Sequence, residues 1–251
     1  MIKILFKKKD LLQIIFTAAT CALFMIFLNL NLNEKQRFSL EEAFILARDT
    51  FNIVGAKRFS FTVIIASFNL LLFIPMINRV FSDDFEIAKN YIFVRIKSNA
   101  GWYYLKVFQA FVYCLIAAVA YNLFIFIFVY LFGFRTSDIK ISLNYLLFAI
   151  VSGFLILFMV VMINCILISV IKPHISSTVS VGTVVIMMGL TPFITIPQYF
   201  PFTHYFFSWH LVMNNPEFCS YSTPTYYIAI AIFIICEIFI GKEIIEKADC
   251  L

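Results

Sequence analysis

The chain has 251 residues, 63% of them apolar and 13% charged, with a formal net charge of +5. A soluble domain is roughly half apolar and about a quarter charged, so water is not the main solvent of this protein. The positive charge is modest and scattered, which argues against nucleic acid as a partner and points to topology and lipid headgroups.

The apolar residues gather in runs near or above the roughly 18 to 20 residues that cross about 30 Å of hydrocarbon at 1.5 Å per residue. Residues 124–132 and 228–235 are apolar on every face. A barrel strand would instead alternate apolar and polar positions over about ten residues, so these runs predict helices. Lys7, Lys8 and Lys9 precede the first run. The run is long and no A-x-A-like cleavage site follows it, so it reads as a retained first helix and not a signal peptide. The predicted spans are 11–30, 59–78, 107–132, 145–171, 176–197 and 226–241. Six spans put both termini on one side. With the N-terminus inside, the inner connections hold 12 Lys and Arg and the outer ones 7, which predicts cytoplasmic termini in a multi-pass protein of the cell membrane.

Three connections carry information. Between the first two spans, Ser39, Glu41 and Glu42 suggest the start of a partly helical outer segment over 38–58. On the inner side, residues 79–106 are charged and free of proline. There Ser82 followed by Asp83, Asp84 and Glu86 resembles an N-cap and first turn, because carboxylates complement the unpaired N–H groups and the positive dipole end. Phe85, Ala88, Tyr91 or Ile92, and Arg95 recur at three- and four-residue steps beside a face with Glu86, Lys89 and Lys97, predicting a short amphipathic helix under the membrane. A solvated loop with topology-setting charges is the plain alternative. Asn99-Ala100-Gly101 is then expected to break the helix, with Trp102, Tyr103 and Tyr104 as an interfacial belt and Lys106 preceding the third span. The outer connection 192–224 holds five of the seven prolines. Pro192, Pro197 and Pro201 prevent one straight span, yet their neighbours, Trp209 among them, are too apolar for water, which predicts short broken or re-entrant helices.

Candidate chemistry is sparse. The six cysteines have no CxxC or His-linked spacing and read as small packing residues. Glu41-Glu42 with Arg48 departs from the EExxxR spacing of membrane-embedded proteases, whose histidines are also missing. His204 and His210, six apart, do not share a helical face for metal. Glu237 lies inside a predicted span, but with Lys242 close to the cytosolic end it is expected as an interfacial carboxylate and not a proton relay. Asn69, Gln109, Asn122 and Asn164 suggest interhelical hydrogen bonds. Lack of buried acids argues against an ion-coupled transporter. No GxxxxGK[ST] or GxGxxG occurs, so any ATP would bind another chain. No convergent set of nucleophile, base or metal ligands points to an enzyme.

In order, these features resemble the membrane subunits of ABC exporters of the second export family, the ABC-2 or type V fold. Residues 1–10 match its basic amphipathic N-terminal segment, 82–97 its coupling helix and 197–212 its re-entrant pair. Glu86, the apolar stretch 92–96, the turn at 99–101 and Lys106 fit the family's coupling pattern. The resemblance implies an all-α membrane protein: one permease domain over 1–251, with six transmembrane helices, a cytosolic coupling helix between helices 2 and 3, and short re-entrant helices between helices 5 and 6. It implies a dimer with an identical or different second permease subunit, two cytosolic ABC ATPases that bind ATP and Mg, and no cofactor on this chain. ATPase coupling would fall to Phe85, Glu86, Tyr91 and Arg95, and the re-entrant outer segment to Pro197, Pro201 and Trp209. The small size and Phe/Ile/Asn-rich character look like permeases that export, or confer immunity to, antimicrobial and amphipathic peptides. A membrane sensor or immunity protein without an ATPase is the alternative.

Overall fold

The computed structural model describes residues 8–30, 39–48, 68–87, 99–135, 139–171, 173–190 and 223–248. Among them every regular element is an α-helix: α1 (Lys8–Asn29), α2 (Leu40–Arg48), α3 (Phe68–Ile87), α4 (Asn99–Leu131), α5 (Ile139–Val170), α6 (Pro173–Leu190) and α7 (Thr223–Ala248). Three contain stretches long and apolar enough to cross a bilayer, of 21 residues in α1 (Lys8–Leu28), 32 in α4 (Ala100–Leu131) and 26 in α5 (Leu143–Ile168). The chain is an all-α membrane protein. A shorter apolar helix, Ile175–Ile186, lies within α6. α3 carries Arg79 and the acids at 83, 84 and 86, and α7 carries Glu237, Lys242 and Glu243. Residues 1–7, 59–67 and 191–197, which hold the rest of the basic leader and parts of the second and fifth predicted spans, lie outside the described residues.

α5 is the axis of the bundle. It packs against α2, α3, α4, α6 and α7, and every residue from Ile156 to Met162 is buried. That run is apolar on all sides because protein, not lipid, surrounds it. α1 lies against α4, α2 and α3. It turns Ala18, Cys21 and Ala22 inward, as α4 does Ala110, Cys114 and Ala117. Small residues let two backbones approach where lipid supplies no hydrophobic force to drive them together. The outer faces are equally apolar: Leu12, Phe16 and Phe27 on α1 and Ile228, Ile232 and Phe239 on α7 are exposed. These helices have an inside and an outside but no polar face, as lipid requires.

Ring and side-chain contacts fix the directions. Phe27 meets Phe132 at 5.9 Å, so α1 and α4 run parallel. Phe73 of α3 meets Tyr121 of α4 at 6.4 Å, and Phe111 of α4 meets Phe154 of α5 at 5.0 Å, so α3 and α5 run against α4. One end of the bundle, the first end, thus gathers the starts of α1, α4 and α6 with the finishes of α3, α5 and α7. α2 closes the other.

The expected helix start at Ser39 is present as a capping box. The Ser39 N–H donates to Glu42 Oε2 at 2.9 Å and the Glu42 N–H donates to Ser39 Oγ at 3.3 Å. The Leu40 N–H donates to the Arg135 carbonyl at 2.9 Å, tying this helix to the turn after α4. That turn is made by Gly133 at φ 93°, a left-handed conformation that ends the helix and that side chains resist.

Two local expectations are overturned. Ser82 does not cap a new helix; it lies inside α3, which runs unbroken to Ile87. Asn99, Ala100 and Gly101 form the first turn of α4, and of the expected belt Trp102 and Tyr103 are buried in the bundle while Tyr104 is exposed. At about 1.5 Å per residue the apolar stretch of α4 measures roughly 48 Å, longer than the hydrocarbon it would cross. Replacing Ser39 by Ala is expected to lower stability by about 1 kcal/mol. Hydrogen exchange should quicken at the amides of residues 40–43 while those of α5 stay slow.

Candidate functional site in the polar first end of the bundle

Of the residues singled out for ATPase coupling, Phe85 and Glu86 sit in the last turn of α3, whereas Tyr91 and Arg95 lie outside the described residues. Pro197, Pro201 and Trp209, assigned to the re-entrant outer segment, lie outside them too. Among the described residues the structure thus places only Phe85 and Glu86 of this set, at adjacent positions of one helix. It gathers a different polar set at the first end.

The best-bonded part joins α5 to α6. Pro173 opens α6 at a position where a missing N–H costs nothing, and one turn later Ser176 donates to Asn164 Oδ1 at 2.6 Å. Ser180 donates to the same oxygen at 3.0 Å. Asn164, fully buried, thus makes the interhelical link expected of it. Asn122 bonds back to the Ala118 carbonyl of its own helix at 2.8 Å. Gln109 accepts from Lys106 Nζ at 2.9 Å and donates to the Tyr113 hydroxyl at 3.5 Å, forming a polar ladder along α4.

The other part is α7 against α4 and α5. Glu237 is 5% exposed, and neither carboxylate oxygen has a hydrogen-bond partner. It is an interior group, not the interfacial carboxylate its neighbourhood suggested. Lys242 lies five residues on, about 140° round the helix, and pairs with Glu246 at 3.8 Å. The spacing was the available signal, since a four-residue step would have put Lys242 above Glu237. Electrostatically, Glu237 is coupled to the Tyr103 hydroxyl of α4 and to Cys165 of α5. One turn further along α7, Gly241 holds the Tyr103 ring so closely that an added Cβ would collide with its hydroxyl. That hydroxyl is buried and has no hydrogen-bond partner either.

A second charge is buried at the opposite end. Arg48, 1% exposed, donates to Ser152 Oγ at 3.2 Å and to the Ala149 carbonyl at 3.5 Å. It ends the inward face of α2, in phase with Leu40, Glu41, Phe44 and Ala47, a periodicity that makes it readable as a core residue. Phe148 beside this contact meets Tyr227 of α7 at 5.7 Å. Glu41 is buried as well, so with Glu237 the bundle does enclose acids, contrary to expectation.

Among the described residues no group of three or more His, Cys, Asp or Glu side chains gathers as metal ligands. Cys21, Cys114 and Cys165 are buried free thiols, which fits their expected packing role. Scans of this chain against protein-family models, curated proteins and solved structures gave no match.

Gly241→Ala is expected to destabilise the protein by about 1 to 3 kcal/mol, because the buried Tyr103 ring must shift. Asn164→Leu is expected to cost less, about 1 kcal/mol, since Ser176 and Ser180 also lie within reach of the backbone carbonyls of Asn164 and Ser176. Reversible unfolding in mixed micelles measures both, and the reverse order would contradict this account of the packing.

Proposed function

We propose that the chain is the transmembrane subunit of an ATP-driven exporter that moves an amphipathic substrate, a peptide in the first instance, out of the cell. Separate cytosolic ATPase subunits supply the power, and a second permease subunit, identical or different, completes the transport path. ATP and Mg belong to the ATPases. On this reading α1 and α3 to α7 make six crossings of the cell membrane with both termini in the cytoplasm. Residues 197–212, with Pro197, Pro201 and Trp209, form the outer re-entrant segment.

The observation that carries the reading is the unbroken course of α3. From Arg79, exposed on the helix, the chain continues helically to Ile87, about 12 Å further along the axis. It carries Asp83, Asp84, Phe85 and Glu86 on that extension. α3 packs against α1, α4, α5 and α6. A push on the acidic tip therefore reaches buried Ile77 and Asn78 along continuous helix, with Pro75 just beyond them as the point where α3 can bend. Phe85 seats in a groove of the ATPase. Glu86, with Tyr91 and Arg95 further along, fixes the register through charge-assisted hydrogen bonds.

The chain is expected to co-purify with a cytosolic ATPase and to lose it when residues 83–95 are deleted. An intact, folded chain that brings down no nucleotide-hydrolysing partner would favour the sensor or immunity reading. Glu86→Gln and Arg95→Gln are each expected to uncouple ATP hydrolysis from export without changing the melting temperature of the membrane domain. Normal export by both would refute the assignment.

A further inference from the structure

We propose that Glu237 is the anchor of an intramembrane binding site for an organic cation, a primary ammonium or guanidinium carried on an apolar body, set between α7, α4 and α5. Three observations point there. First, Glu237 is 95% buried, with both carboxylate oxygens unpaired. A lone carboxyl held away from water either keeps its proton or ionises against a cation, and intramembrane acids persist where they serve a ligand or a path.

Second, among the described residues the cations that α7 and α4 carry toward this end are turned elsewhere. Lys242 of α7 pairs with Glu246 at 3.8 Å, and Lys106 of α4 gives its ammonium to Gln109 at 2.9 Å. The remaining described charge of α7 is Glu243, beyond Lys242. On α5 the only basic residue is Lys140, at the opposite end of the helix.

Third, the groups around the carboxylate accept and do not neutralise. The Tyr103 hydroxyl is buried without a partner, lies within electrostatic range of Glu237, and packs on the bare backbone of Gly241. Cys165 of α5, itself buried, also lies within electrostatic range of Glu237. Two carboxylate oxygens and one phenol oxygen are too few for a bare alkali or alkaline-earth ion, which takes about six oxygens. They suit an N–H donor with two or three protons. Tyr104, beside Tyr103 at 5.9 Å, is exposed and offers an aromatic surface to the apolar body of an amphipathic molecule.

The inference deepens the exporter reading, on which it rests only for calling the ligand a cargo. Its test uses the purified chain alone, so its failure and failure of ATPase co-purification are separate results. The probe is a dansyl-labelled long-chain primary amine, compared with its uncharged N-acetylated analogue, in nanodiscs of zwitterionic phosphatidylcholine. The intact chain should bind the amine more tightly than the analogue. Glu237→Gln should weaken amine binding about tenfold or more and leave the analogue unchanged, the loss expected for a hydrogen bond to a charged group. Glu237→Asp should restore part of the preference. Equal amine binding by a folded Glu237→Gln chain, or no preference in the intact chain, overturns the proposal. If Glu237→Gln does not fold, the unmutated chain decides the question. Dicyclohexylcarbodiimide should label Glu237, read by peptide mass spectrometry, and the amine but not its analogue should protect it. Absent labelling or absent protection overturns the proposal equally.

Discussion

Lipid offers the peptide group no hydrogen-bonding partner, and this protein is organised around that constraint. Each backbone N–H and C=O crossing the hydrocarbon must bond within its own helix, so the apolar stretches of α1, α4 and α5 have a single available secondary structure. The same constraint removes the force that would pack them. Lipid tails are as apolar as leucine, so association rests on close approach and on the few polar groups that cannot remain outside. The inward small residues of α1 and α4 meet the first requirement, and Asn164 with its two serines meets the second.

α5 concentrates both. It is the one span enclosed over several turns, and its burial differs in kind from that of α1, whose window is 33% buried against 61% for α5. α1 can exchange lipid for protein along most of its surface at little cost. α5 cannot, because withdrawing it takes Ile156, Phe158 and Met162 out of a packed interior and leaves a void that neither lipid nor water fills well. Arg48 reinforces this from α2 by reaching the Ala149 carbonyl and Ser152 of α5. A short outer helix thereby becomes part of the core despite its nine residues.

What the sequence revealed follows the same physics. The bodies of α1, α4 and α5 were legible because an all-apolar run of membrane length has one interpretation. The start of α2 was legible because Ser39 and Glu42 bond locally, independently of everything distant. Ser82 failed for the complementary reason. A serine followed by acids favours an N-terminus only where a helix is not already running, and α3 arrives there already formed. Trp102 and Tyr103 failed because amphipathic side chains suit an interface and a protein interior alike, and only the neighbours decide. Glu237 was misjudged by linear proximity to Lys242; the angular step that separates them was in the sequence, but its meaning depended on which face α4 and α5 would cover. The proposed coupling and re-entrant side chains largely fall outside the described residues, so their legibility turns on composition and resemblance alone.

The distribution of polar bonds divides the bundle unevenly. α5 and α6 are stitched by two hydroxyl bonds to one amide oxygen, and α3 packs on both helices. α7 meets α5 and α4 through apolar surface, and its one buried charge, Glu237, makes no hydrogen bond across that contact. Relative motion costs least where no directional bond must break, because apolar surfaces can slide and repack while a hydrogen bond in a dry interior is lost outright. On the exporter reading, a push entering through the tip of α3 would therefore carry α3, α5 and α6 together, and the displacement would appear at the seam beside α7. Glu237 lies on that seam. A ligand held there would change its surroundings with every stroke, which joins the proposed drive and the proposed cation site through one mechanical element, the body of α5.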